Sequence, residues 1–254
     1  MNYEINNPLL IFGISFVLLW LTAWVGWSVL RKWRGLAEEA REDFGVIRGA
    51  ALTLLALLIG FSFSMAITRY DLRKNYEETE ANAIGTELVR AALLPPADAK
   101  VVRTLLSNYL DLRVSFYRSR GAQGLREINA RTAQLNSDLW SAVQAPAAAQ
   151  PSPVLALAVS GMNDVFNSQG YTQAAWWNRI PTAAWALMAS IAFFCNLLVG
   201  YGARNTNRGR LLLILPLIVS TAFLLIADID SPRSGFIHVY PQNLLSVSTS
   251  MRAQ

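Results

Sequence analysis

The chain has 254 residues, of which 53% are apolar and 15% charged, with a formal net charge of +5. A soluble domain carries about 25% charged residues, so an ordinary soluble fold is excluded and segments emptied of charge are expected. A single cysteine, Cys195, and a single histidine, His238, exclude an internal disulfide and a Cys- or His-rich metal site within one chain.

Four stretches hold almost no charge: 9–30, 49–67, 180–203 and 211–227. A helix rising about 1.5 Å per residue needs around 20 apolar residues to cross a hydrocarbon core, with about 17 as the short limit. All four reach that limit, the last only just. Trp24, Trp27 and Trp33 sit near one end of the first span, and Trp176, Trp177 and Trp185 lead into the third, where an interfacial aromatic belt belongs. Residues 1–8 carry Glu4 and no Lys or Arg, so the first span reads as a retained helix and not as a cleaved signal. The chain therefore reads as all-α and polytopic, embedded in a lipid bilayer. Residues 1–67 hold the first two spans, 68–179 an extramembrane helical domain, 180–230 the last two spans, and 231–254 a C-terminal tail.

The second span continues without Gly or Pro through TRYDLRKNYEETEANAI, which predicts one long helix running into the domain and ending near Pro95 and Pro96. A helix from about Ala97 carries Val101, Leu105, Leu112 and Phe116 as its apolar stripe, and another over 125–143 carries Ile128, Leu135 and Leu139. The proline-rich 145–153 segment reads as a loop, followed by a helix over 154–167. No strand pattern or solenoid repeat stands out.

Cations in short loops stay on the cytoplasmic side. Arg31, Lys32, Arg34, Arg41 and Arg48 follow the first span, and Arg204, Arg208 and Arg210 follow the third. The rule puts both termini and the 68–179 domain outside, opposed by Arg69, Arg73, Lys74 and Arg179 at the other interface. Placed this way, the positive charge needs no nucleic-acid partner.

No nucleophile with its base and no phosphate-binding glycine pattern is present, so an enzyme is not expected. Two acidic groups remain. Asp228 and Asp230 close the fourth span beside Pro232 and Arg233, either as a helix-end pair held by Arg233 or as a cation or gating site. Two carboxylates alone are too few for a calcium cage of six to eight oxygens. Arg69, Asp71, Glu80 and Asn82 form a membrane-adjacent cluster with Glu77 and Glu78, which reads first as a solvated helix face, while Gly85 within it suggests a close helix approach.

The segment GFSFSMAITRYDLRKNYEETEANAIGTELVRAALLP, from Gly60 to Pro95, and the later IADIDSPRSGFIHV, from Ile226 to Val239, resemble the bestrophin-like family of bacterial membrane proteins of unknown function. The resemblance covers nearly the whole chain. Bestrophins are pentameric anion channels with four membrane helices per subunit and a helical domain after the second, so it implies a homo-oligomer in the bacterial inner membrane that passes small anions. It also implies a cytoplasmic domain, against the loop charges, and a calcium site for which this Asp228 and Asp230 pair is short. Bestrophins narrow to an apolar neck on their second span at the spacing of Ile59, Phe63 and Ile67, while the neighbouring Gly60, Ser64 and Thr68 suit close packing against other spans. The alternative is a membrane-anchored sensor or assembly subunit whose extramembrane helices bind a partner or ligand. It is motivated by spans that carry no charge away from their ends.

Overall fold

A computed structural model describes residues 7–30, 37–203 and 211–252. All regular structure among these residues is helical. Helix α1 covers Pro8–Val25, capped by Asn7, whose side chain accepts from the Leu9 N–H, with Pro8 in the first turn. A π-helical turn, Gly26–Leu30, follows. Helix α2 runs over 50 residues, Arg41–Arg90, and tightens into a 3₁₀ turn at Ala91–Leu93 before Pro95 and Pro96. Then come α3 Pro96–Arg118, α4 Ala122–Ala149, α5 Pro153–Trp177, α6 Thr182–Tyr201, α7 Ile214–Asp230 and α8 Gln242–Arg252.

Pro8–Leu30, Arg41–Leu93 and Pro153–Tyr201 contain stretches long and apolar enough to cross a membrane. The chain is a helical membrane protein. With 17 residues, α7 extends about 26 Å, and a 3₁₀ turn at Leu211–Leu213 precedes it. The loop cations Arg31, Lys32, Arg34, Arg204, Arg208 and Arg210, with Trp33 and Glu4, lie outside the described residues.

The chain divides into two compact units, one of Met1–Arg69 with Arg179–His238, the other of Tyr70–Asn178 with Val239–Gln254. In the first, α1 packs on α6 and α7. Contact is closest at the glycines: a Cβ at Gly26 would strike the Leu197 carbonyl, and one at Gly200 the Ala23 carbonyl. Small residues let backbones approach where lipid offers no hydrophobic drive for association.

The second unit is a helical core of Ile84 from α2, Leu106 and Leu110 from α3, Leu139 from α4 and Met162 from α5, all fully buried. Leu244 of α8 is buried with them. The expected C-terminal tail is thus in part a core element, a contribution hidden in the sequence because QNLLSVSTSMR is short and mostly polar.

Two further expectations change. The segment 145–153 is not all loop, for α4 continues through buried Pro146 to Ala149. A proline in the last turn forfeits only one helix hydrogen bond, and Gln150 N–H still closes on the Pro146 carbonyl. The chain restarts at Ser152, whose hydroxyl accepts from Leu155 N–H, with Pro153 at the first helical position. On α3 the expected stripe is met in part: Phe116 is fully buried and Leu105 packs on the core, while Val101 is exposed and Val102, Leu106, Tyr109 and Arg113 are buried in addition.

Candidate functional site

Along the span of α2 the chain itself buries Leu55, Ser62 and Ala66. Ile59 is half-buried, Phe63 and Ile67 are 36% and 38% exposed, and Gly60, Ser64 and Thr68 lie exposed. Packing of Gly60, Ser64 and Thr68 against the chain's other spans is therefore corrected. A Cβ at Gly60 would meet nothing within 4 Å. The packed residues Ser62 and Ala66 lie two positions further on, about 200° around the helix. Thr53 and Thr68 donate their hydroxyls to the Gly49 and Ser64 carbonyls, each at 3.0 Å, so these two hydroxyls are satisfied within the helix.

At the end of this span Arg69 Nη1 stands 3.7 Å from Asp230 Oδ1, both side chains largely buried. The Ile180 N–H, just ahead of α6, donates to the two Asp230 oxygens at 3.1 and 3.2 Å. One carboxylate thus ties together α2, the entry to α6 and the end of α7. Asp228 accepts from the N–H groups of Phe236 and Ile237 at 2.7 and 2.8 Å and folds the following turn back onto α7. Besides the Arg233 that the sequence offers them, the geometry gives Asp228 two main-chain donors and Asp230 the more distant Arg69.

Calcium does not fit here. Its cage needs six to eight oxygens, and these four oxygens face N–H donors and a guanidinium. Among the described residues, no group of three or more His, Cys, Asp or Glu could hold a metal. The possible calcium at Asp228 and Asp230 is withdrawn.

The membrane-adjacent set does not form one site. Arg69 belongs to the junction just described, Asp71 and Asn82 are exposed, and Glu80 is fully buried in the second unit. Glu80 accepts from Arg113 Nε and, at 3.4 Å, from Nη2, from the Tyr117 hydroxyl at 3.2 Å and from the Thr172 hydroxyl at 3.0 Å. The Arg113 guanidinium lies 4.4 Å over the Phe116 ring. Burial pulls the Arg113 guanidinium down, but Glu80 beside it more than reverses this and holds it above its ordinary range. Burial, reinforced by Glu80, pushes the Tyr117 hydroxyl up, so it remains a donor. One turn before Glu80, buried Glu77 accepts from Asn243 Nδ2 at 2.6 Å and Leu244 N–H at 3.0 Å, capping α8. The close approach expected at Gly85 is ordinary contact, with Val247 of α8 at 3.6 Å.

The sequence reading missed Arg113, Tyr117, Thr172 and Asn243. A usable signal existed: Glu77, Glu80, Ile84, Glu87 and Ala91 recur every three or four residues, so acids share the apolar face of α2.

The order of these parts agrees with a match to the bestrophin-like domain over residues 16–244. The chain belongs to the bestrophin-like family. Its fold is similar to that of a bacterial bestrophin homologue from Klebsiella pneumoniae solved by zinc phasing, at 12% identity and a TM-score of 0.65, covering 93% of this chain and 98% of that one. Two variants of that homologue match at 13% identity and a TM-score of 0.65, one over 95% of this chain and 98% of that one, the other over 96% and 99%. Identities this low speak for the fold alone. Comparison with curated proteins gives no match. In this bestrophin-like chain, the uncovered face of α2 is the feature of the membrane part that function must explain.

Proposed function

We propose that the chain is one subunit of a homo-oligomeric ion channel of the bacterial inner membrane. It crosses the bilayer four times, passes small anions, and contributes its second span to a central pore. The observation that carries this reading is the composition of the faces left uncovered by the chain. On α1 that face is apolar throughout, with Leu10, Ile14, Val17, Leu18 and Leu21, as lipid requires. On α2 it sets Phe63 and Ile67 beside Gly60, Ser64 and Thr68. A single set of spans has too few walls to enclose water, so a pore must lie on a symmetry axis. Membership of the bestrophin-like family supports a channel, and bestrophins suggest five subunits. Ile59, Phe63 and Ile67 would form an apolar neck that gates by expelling water.

The test is purified protein, sized in detergent and reconstituted in liposomes under opposing chloride and potassium gradients. A closed oligomer and chloride flux are expected. A monomer or dimer without flux would instead favour a membrane-anchored sensor or assembly subunit.

A further inference from the structure

Glu87 is the third acid on the buried face of α2 and differs from Glu77 and Glu80. Its side chain is fully buried, and neither carboxylate oxygen has a hydrogen-bond partner. It rests on α5 at Gly161, where a Cβ would collide with Glu87 Oε2 and with the Arg90 side chain. The absent side chain makes the pocket these two groups occupy. The charged groups facing Glu87 are Arg90, one turn on along α2, and Asp164 across the interface on α5. Arg90 Nη1 stands 3.6 Å from Asp164 Oδ2, so the arginine is oriented to the outer carboxylate and not bonded to the inner one. An ionised carboxylate without hydrogen bonds is far more costly to bury than its protonated form.

We propose that Glu87 is a proton-operated switch in the extramembrane domain, which as a neutral acid leaves Arg90 to Asp164 and on losing its proton takes Arg90 for itself. Arg90 is the bistable part, placed between the exposed Asp164 carboxylate and the buried Glu87, whose charge depends on pH. Burial foremost pushes Glu87 up to about 8, with Asp164 adding and Arg90 opposing. Because Glu87 shares α2 with Phe63, a change in α2 packing on α5 is transmitted along the helix that lines the proposed pore. This last step rests on the channel reading. The proton site does not.

The sign follows from linkage. Folded Glu87 holds its proton to about pH 8 and the unfolded chain only to 4.5. Its contribution to stability is full below 4.5, falls as pH rises from there, and is gone above about 8. The experiment follows the protonated-carboxyl infrared band and the melting temperature of the full-length protein against pH, with chloride flux on the same preparations. The parent should show a carboxyl titrating near pH 8, absent in Glu87→Gln, whose melting temperature should fall less between those limits. Asp164→Asn, at an exposed residue, should move the titration down, since it removes the opposing carboxylate and releases Arg90. A band unchanged in Glu87→Gln overturns the proton site, and an unshifted midpoint in Asp164→Asn overturns the exchange of Arg90. Flux that changes near pH 8 in the parent and not in Glu87→Gln supports coupling to the pore, and identical profiles with measurable flux overturn it. If neither protein passes chloride, the channel reading fails, and the infrared titration alone judges Glu87.

Discussion

Glu80 and Arg113 form a fully buried ion pair that also engages Tyr117 and Thr172. Desolvating two charges costs as much as their attraction returns, so such a pair adds little net stability, but removing one partner strands the other. Arg113→Met should destabilise by about 3 to 5 kcal/mol. The double variant Glu80→Leu, Arg113→Met should lie closer to the parent than either single change, as chemical unfolding in detergent would show. A smaller effect is expected at Asp228, where Asn would lose acceptance from one of two main-chain N–H groups and cost about 1 to 3 kcal/mol, read from the same unfolding curves. The acids of α2 were legible as types. Their burial was not, because Arg113 lies 33 residues away on another helix, and only packing reveals which carboxylates face inward.

Among the elements, α2 was the most legible. Lack of an internal proline and the Pro95–Pro96 stop fix its course, while its observed start at Arg41 precedes the apolar stretch because nothing in REDFG breaks a helix. Position within the last turn decided the fate of Pro146. Helix α8 was illegible, since its anchoring is a cap from Glu77 and one buried Leu244, both supplied by distant chain. Truncation before Gln242 should therefore strip the core of Leu244 and cost at least about 1.5 to 3 kcal/mol of side-chain burial. Melting of the truncated protein, followed by helical circular dichroism, checks this. Gly200→Ala places a methyl on the Ala23 carbonyl and should cost about 1 to 3 kcal/mol as overpacking, measured in the same way.

For the whole molecule, the charge deficit and the four empty stretches led to a helical membrane protein, and the family resemblance is shown by the domain match over 16–244. The uncovered face of α2 was only partly readable: the stripes of Ile59, Phe63, Ile67 and of Gly60, Ser64, Thr68 were evident as periodicities. Which of them the chain itself packs depended on a rotation that spacing does not specify, and it packs neither fully. In the proposed channel Phe63 faces the axis of the oligomer, and its ring sets the neck. The most direct measurement is chloride flux through liposomes containing Phe63→Ala, matched to the parent for oligomer size and protein content. A neck at Phe63 predicts greater flux with assembly intact, and unchanged flux from a properly assembled Phe63→Ala oligomer would contradict it.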